Sequence, residues 1–214
     1  MPPDTSRRPL KSRSSAWAAW SAGFLARAGA SPNGISAASV IMALLGAAAF
    51  IAAGNQWLVS WLGWILAAIC IQLRLICNLL DGMVAIEGGM RSATGGIWNE
   101  APDRFADTIL LISAGIGCAH PWAGAAAAWA AVMTAYVRAL GKELTGKQDF
   151  CGPFAKPQRM AALTIGALFS PIEFLWGVNP PLLAMTLWLI VIGTFITIFR
   201  RLWRLSNTLK SLSR

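Results

Sequence analysis

The sequence predicts an all-α, polytopic membrane protein with six transmembrane helices and an N-terminal amphipathic helix in the membrane interface. The 214-residue chain is 56% hydrophobic, with a mean hydropathy of +0.56, whereas a soluble domain is about 45–50% apolar. Apolar runs of about 20 residues, the length that crosses a bilayer, recur along the chain. Lys and Arg gather at the ends of these runs, which is the distribution that the positive-inside rule describes.

Composition excludes several other classes of protein. The net charge of +9 does not indicate a nucleic-acid partner, because the basic residues form no stripe interleaved with stacking aromatic side chains. The four cysteines have no close CxxC spacing and mostly lie in apolar runs, so we expect free thiols and neither a zinc site nor a disulfide framework. Little chain is left outside the bilayer. We therefore expect a single membrane domain, which comprises residues 16–205. A flexible basic segment, 1–15, precedes it and a basic tail, 206–214, follows it.

The first helix is predicted from the aromatic spacing in residues 16–28. Trp17, Trp20 and Phe24 recur at steps of three and four with small residues between them, as in a helix that lies in the membrane interface. A short packing helix of the bundle is the alternative. In the following SPNGIS segment, residues 31–36, Pro32 and Asn33 end this helix and a serine caps the next one.

Six spans follow, and the charge of their connections predicts their orientation. The turns at 54–56, 120–121 and 177–181 contain no Lys or Arg, whereas both termini and the loops at 87–98 and 141–159 contain nearly all of them. Both termini and these loops are therefore expected in the cytoplasm. The predicted spans are residues 35–53, 57–80, 99–118, 122–140, 160–176 and 182–199.

The stretch from 78 to 107 is the candidate site, since acidic residues are costly in or beside a bilayer and most of this chain's acids lie there. Side chains three, four or seven positions apart share a helix face. One such stripe lies before a glycine-rich link and a second lies after it, and the short link places the two stripes side by side. The first stripe contains Asn78, Asp81, Gly82 and Ala85, and the second contains Asn99, Asp103 and Asp107.

These stripes predict a metal site built from oxygen ligands. Without histidine or paired cysteine, such a set suits a hard cation, Mg²⁺ or Mn²⁺. Asp81 and Asp103 are the best-placed acids, and the residues alone do not say which acts as a base. The alternatives are that the acids mark the cytoplasmic boundary and that the small residues serve helix packing. The candidate ligands are Asp81, Asp103, Asn78, Asn99, Asp107 and Glu100.

The stretch resembles the motif of the CDP-alcohol phosphotransferases, DxxDGxxARx8GxxxDxxxD, without a gap in spacing. The matching positions are Asp81, Gly82, Ala85, Gly95 and Asp103. Three positions depart from the motif: Asn78 and Asn99 stand where the family has aspartate, and Ile86 stands where it has arginine. An amide keeps an oxygen ligand but removes a negative charge, so metal binding should be weaker unless Glu100 or Asp107 contributes. The SPNGIS segment is also similar to the PNxxT-like turn that precedes the first span in many family members.

The resemblance implies an enzyme of phospholipid biosynthesis. It would transfer a phosphatidyl or other substituted phosphate group from a CDP-linked donor, such as CDP-diacylglycerol, to an alcohol and release CMP. It implies a homodimer, which we expect in the bacterial inner membrane. The Lys and Arg distribution, independently of the resemblance, predicts that the active site faces the cytoplasm. Asp103 would be the catalytic base and Asp81 a metal ligand, and the CDP-binding residues would be Asn78, Asp81, Gly82, Ala85 and Gly95.

Basic residues near the same side are candidates for an acceptor phosphate or a lipid headgroup. Lys156 and Arg159 open the fifth span, where cationic side chains and free backbone N–H groups attract anions. Arg91 and Arg138 are further candidates for this pocket. Ordinary positive-inside flanking is the alternative explanation for all four residues.

Two other functions remain open on the sequence. One is a catalytically silent relative that binds nucleotide or lipid, because the motif has lost two carboxylates. The other is a small ion-coupled transporter, against which the acids argue by clustering at one membrane face instead of the midplane.

Overall fold

The computed structural model describes residues 15–90, 93–176 and 181–212, without the side chains of Glu87, Asn99 and residues 173–176. Every regular element within these ranges is a helix, which confirms the all-α prediction. The helices are α1 (Ala16–Arg27), α2 (Pro32–Gly54), α3 (Ser60–Glu87), α4 (Gly95–Gly117), α5 (Pro121–Thr145), α6 (Lys156–Trp176) and α7 (Leu182–Leu212).

Four of the described helices are long and apolar enough to cross a membrane: α2, α3 up to Ile86, α5 and α7. The predicted third and fifth spans are also helices, α4 and α6, but the N-terminal halves of both carry charged residues of the candidate site. The count of six spans therefore stays a prediction. Helix α7 runs on to Leu212, so most of the predicted C-terminal tail is helical.

Local sequence accounts for the helix ends around the site. The Ser31 side chain accepts a hydrogen bond from the backbone N–H of Gly34 at 3.1 Å, and Pro32 occupies the first turn of α2. A serine cap followed by proline is a favoured start, because it satisfies one free N–H and proline needs none. Helix α2 thus begins three residues before the predicted span. Gly146 ends α5 with a φ of 71°, a left-handed conformation that suits glycine.

The six long helices pack in a closed ring in the order α2, α3, α6, α7, α5 and α4. The main core runs through all six, with Phe50, Ile71, Leu110 and Leu187 fully buried. Small residues allow the helix backbones to approach closely. A Cβ on Gly115 would lie 2.8 Å from the Cα atom of Gly124, so the backbones of α4 and α5 are in van der Waals contact there. Because successive helices alternate in direction, the start of α2, α4 and α6 and the end of α3 and α5 meet at one end of the ring.

Helix α1 lies against α3 at this same end. Ala18 and Ala22 are buried in a second cluster with the last turns of α3, while Trp17, Trp20 and Phe24 are exposed. The Trp20 and Phe24 rings stack with their centroids 5.8 Å apart. The helix therefore packs against the bundle through small residues and presents aromatic rings outward.

Candidate active site

Asp81, near the end of α3, holds one carboxylate oxygen in a hydrogen bond and the other without a partner. The Ser36 hydroxyl of α2 donates to Oδ2 at 2.6 Å. Oδ1 is buried and has no hydrogen-bond partner among the described residues. Asp81 as a whole is only 5% exposed. An unsatisfied oxygen on a buried carboxylate is costly. Asp81 is thus placed to accept a cation or a donor hydrogen that a ligand brings.

Asp103, in the third turn of α4, is surrounded by donors from two other helices. The Asn78 side-chain amide donates to Oδ1 at 2.7 Å, and Nη2 of Arg74 donates to the same oxygen at 3.1 Å. The Lys156 ammonium, at the start of α6, contacts Oδ2. The two predicted polar stripes therefore meet at Asn78 and Asp103. The Asp103 side chain is 15% exposed, so its carboxylate is close to solvent despite these contacts.

Asp107 lies one helical turn deeper and belongs to a buried ion-pair network. Nη2 of Arg74 lies 2.7 Å from Oδ1, and Nη2 of Arg159 lies 3.6 Å from Oδ2. All three side chains are at most 2% exposed. Two cations facing one buried carboxylate compensate its loss of hydration. Asp107 therefore joins α3, α4 and α6 below the exposed part of the site.

Arg159 is held by further contacts inside the bundle. Its Nη1 donates to the Thr134 hydroxyl at 3.2 Å and to the carbonyl oxygen of Phe154 at 3.0 Å. The predicted acceptor-binding residue thus contacts α5 and the loop before α6 as well as Asp107. Lys156, one turn earlier and nearer to the solvent, is the better placed of the two for an anion.

Glu100 and Arg138, predicted as a metal ligand and a phosphate ligand, contact each other. Nη2 of Arg138 donates to both Glu100 carboxylate oxygens, at 2.6 and 2.7 Å. The guanidinium carbon also lies 5.7 Å from the centroid of the Phe150 ring, within the range of a cation–π contact. This group joins α4, α5 and the α5–α6 loop at the rim of the site.

The remaining predicted residues line the same end of the ring. Gly82 and Ala85, on the last turns of α3, and Gly95, which begins α4, are all partly exposed. Small side chains at these positions leave space beside Asp81. Arg91 and the Asn99 side chain, which complete the predicted set, lie outside the described residues.

The oxygen atoms around Asp81 suit a hard divalent cation by their chemistry. Among the described side chains, no three His, Cys, Asp or Glu come together as a metal site. The hard donors at this place are Oδ1 of Asp81, which has no partner, and the Asp103 carboxylate, whose oxygens already contact Asn78, Arg74 and Lys156. Oxygen ligands of this kind suit Mg²⁺ or Mn²⁺, which also keep several water ligands. The residues fit one such cation beside Asp81.

The chain is similar to phosphatidylinositol phosphate synthases in sequence and in fold. The chain is 24% identical over 182 residues to the phosphatidylinositol phosphate synthase of Mycolicibacterium smegmatis, across 82% of this chain and 77% of that protein. A crystal structure of the Mycobacterium tuberculosis phosphatidylinositol phosphate synthase in complex with manganese and citrate matches with a TM-score of 0.72 and 21% identity, over 88% of each chain. The same enzyme with CDP-DAG bound also matches with a TM-score of 0.72, over 88% of this chain and 92% of that one. No protein-family model matches the chain.

The chain has the fold of a CDP-alcohol phosphatidyltransferase. The predicted resemblance is confirmed. Two residues of the candidate site were not among those predicted. Ser36 occupies the threonine position of the PNxxT-like turn and bonds to Asp81, so the turn carried the signal. Arg74 lies four residues before Asn78 and therefore shares its helix face.

The loop between α5 and α6 packs against α7 beside the site. Nε of Arg201 donates to the Cys151 carbonyl oxygen at 2.9 Å, and Nε of Arg204 lies 3.2 Å from an Asp149 oxygen. Burial alone would raise the pKa of Asp149, but hydrogen bonds from the Cys151 backbone N–H and thiol, with the charge of Arg204, lower it below its usual value. Burial, the hydrogen bond to Asp149 and the charge of Asp149 raise the pKa of the Cys151 thiol.

Proposed function

We propose that this protein is a membrane enzyme of phospholipid biosynthesis that transfers a phosphatidyl, or another substituted phosphate, group from a CDP-linked donor to an alcohol. The acceptor oxygen forms a bond to the donor phosphorus, the pyrophosphate P–O bond breaks, and CMP leaves. One observation carries the proposal: Asp81 and Asp103 keep the spacing of the family motif and lie at one end of a fold shared with phosphatidylinositol phosphate synthases. Relatives with this fold were solved with manganese and with CDP-DAG.

Asp103 is the proposed catalytic base. It accepts the proton of the acceptor hydroxyl, while Asn78 and Arg74 hold one of its oxygens in a fixed direction. The Lys156 ammonium contacts the other oxygen, Oδ2 of Asp103, and is placed to bind an anionic group of the acceptor. An acceptor that draws Lys156 away would leave Oδ2 free to take the proton.

Asp81 is the proposed principal metal ligand, and Gly82, Ala85 and Gly95 are the proposed lining of the CDP pocket. Mg²⁺ or Mn²⁺ bound here would supply positive charge to the pyrophosphate of the donor. Ser36 fixes one Asp81 oxygen and leaves the other directed to the ligand. The lack of a Cβ at Gly82 supports close approach of the nucleotide to α3.

The proposed topology places the site at the cytoplasmic face of a bacterial inner membrane, with α4 and α6 completing six spans. The Lys and Arg distribution supports this orientation. The exposed aromatic face of α1 supports a position in the interface. The homodimer that the resemblance implies stays a prediction, as do the roles of Arg91, Arg138, Asn99 and Glu100.

The alternative is a catalytically silent relative that binds a nucleotide or lipid. The observation in its favour is that Asn78 donates an N–H to the base instead of offering another carboxylate. Both functions require ligand binding at Asp81, but only the enzyme releases CMP.

The test is CMP release by purified protein in detergent with CDP-diacylglycerol, Mg²⁺ or Mn²⁺ and a panel of alcohols. The panel includes inositol phosphate, glycerol phosphate and free inositol, glycerol and serine. We expect acceptor-dependent release by the natural protein and a loss of about 100-fold or more in Asp103→Asn, since a positioned base contributes about 10²–10⁴ in rate. Binding of CDP-diacylglycerol without release for any acceptor would support the silent relative.

A further inference from the structure

Three carboxylates of α4 form a row from the interior of the bundle to the solvent at the site end of the ring. Asp107, Asp103 and Glu100 are separated by four and three positions, so they share one face of α4. Their side chains are 2%, 15% and 49% exposed, in that order. An acceptor that approaches Asp103 from the solvent along this face therefore meets Glu100 first.

Glu100 pairs with a guanidinium group that keeps further donors open. Both Glu100 oxygens accept from the same nitrogen, Nη2 of Arg138, at 2.6 and 2.7 Å. Nε and Nη1 of Arg138 donate no hydrogen bond to any described residue, and the side chain is 21% exposed. A guanidinium group has five N–H donors, and a carboxylate accepts about four hydrogen bonds. Both partners can therefore bind further groups without breaking their own pair.

The Glu100–Arg138 pair lies within reach of the proposed base. Nη2 of Arg104 is 3.7 Å from a Glu100 oxygen and 3.7 Å from Oδ2 of Asp103, so these two oxygens are no more than twice this distance apart. A hydrogen bond adds about 3 Å at each end of a bound molecule. Even a three-carbon acceptor whose hydroxyl group meets Asp103 can thus place a second group at Glu100.

Neighbouring charges of opposite sign fit an acceptor that carries both charges itself. An ammonium group binds Glu100 and a carboxylate binds the open edge of Arg138, so that every charge gains a partner. A phosphate group would also be attracted by Arg138, but it brings its negative charges beside the Glu100 carboxylate, which repels them. Lys156 attracts any anionic acceptor. Glu100 is therefore the group that discriminates between them.

We propose that the acceptor is a hydroxy amino acid, a small alcohol with an ammonium and a carboxylate group, and that Glu100 and Arg138 select it. This inference rests on the proposed function, which supplies the CDP-linked donor and the base. The hydroxyl oxygen of the acceptor forms the bond to phosphorus, its proton passes to Asp103, and CMP leaves. Glu100 and Arg138 determine specificity, because they contact the charged groups of the acceptor and not the reacting atoms.

The test compares CMP release from CDP-diacylglycerol, with Mn²⁺ in detergent, for acceptors that differ in charge. Serine carries both charges, ethanolamine only the ammonium group, glycerate only the carboxylate, and glycerol phosphate a phosphate group. The natural protein should show a kcat/KM for serine at least about tenfold above that of each other acceptor, because a site that binds a polar group rejects an analogue without it.

Substitutions at Glu100 test its role in this selection. Glu100→Gln keeps the size of the side chain and removes its charge. It should lower the ratio of kcat/KM for serine to kcat/KM for glycerol phosphate at least about tenfold, since the ammonium group loses its partner and the phosphate loses a repulsive neighbour. Glu100→Asp keeps the charge and should retain the preference for serine. Glu143→Gln is the matched control: it removes the same charge from an exposed position near the end of α5, and its ratio should equal that of the natural protein.

Two results would overturn the inference. One is a kcat/KM for serine that another alcohol, inositol phosphate and inositol included, equals or exceeds in the natural protein. The other is an unchanged ratio in Glu100→Gln. The first is read from the natural protein, so a variant that fails to fold does not prevent the decision. CMP release with a different preferred acceptor would leave the proposed function standing, whereas no release with any acceptor would refute that function.

Discussion

Replacing Arg74 with glutamine should destabilise the protein strongly, because Arg74 is the one side chain that contacts both Asp103 and Asp107 among the described residues. Its side chain is 0% exposed, and Asp107 is 2% exposed. Removing one partner of a buried ion pair costs about 3–5 kcal/mol, since a buried charge is left uncompensated. Arg159 still lies 3.6 Å from Asp107, so we expect the lower part of that range.

The assay is thermal unfolding in detergent. In a protein of this size each kcal/mol shifts the midpoint by about 2–4 °C, so a loss of about 3–4 kcal/mol in Arg74→Gln should lower it by roughly 6–16 °C. Adding Asp107→Asn should recover part of the loss, because it removes the buried charge. Arg138→Gln is the matched control: it breaks an exposed pair with Glu100, which is worth about 0–1 kcal/mol. A midpoint for Arg74→Gln within 2 °C of the natural protein would refute the buried network.

The other predictions concern the membrane topology, the alkylation of Cys151 and the hydrogen bond from Ser36 to Asp81. Single cysteines at Asn55 and Lys147 should label from opposite sides of the membrane, and labelling from one side would contradict the orientation. In a protein whose other three cysteines are replaced by alanine, Asp149→Asn should shift the pH midpoint of Cys151 alkylation downward, because the Asp149 carboxylate raises the pKa of the thiol. An unchanged midpoint would contradict this effect of Asp149. Ser36→Ala should weaken Mn²⁺ binding about 3- to 30-fold by freeing the carboxylate that the hydroxyl holds. Unchanged Mn²⁺ affinity would show that this hydrogen bond does not orient the ligand.

The sequence predicted the elements of the fold because membrane helices carry their signal locally. Apolar runs and uncharged turns placed all six long helices, and the steps of three and four placed Asn78 and Asp103 on facing stripes. Several boundaries differed from the predicted spans: α2 begins earlier, and α3, α5 and α7 end later, at Glu87, Thr145 and Leu212. A Ser31 cap and charged but helical segments extend these helices beyond their apolar parts.

The partners of the acids could not be predicted in the same way. Lys156 is 53 positions from Asp103, and Arg159 is 52 from Asp107. Their contacts cross the ring between α6 and α4, which are not neighbours in it, so they depend on the assembled bundle. Periodicity assigns residues to the faces of one helix, but it does not predict which faces of different helices pack together. Lys156 and Arg159 were predicted to bind an anion, and Asp103 and Asp107 were predicted to bind a metal. In the structure these basic residues contact these carboxylates.

The most direct test of the account follows both products of the proposed reaction from labelled CDP-diacylglycerol. The natural protein should form CMP and a new labelled phospholipid in a one-to-one ratio, only when an alcohol and Mg²⁺ or Mn²⁺ are present, and Asp103→Asn should form neither at a comparable rate. Equal product formation by Asp103→Asn, or CMP without a matching phospholipid, would contradict the proposed phosphatidyl transfer.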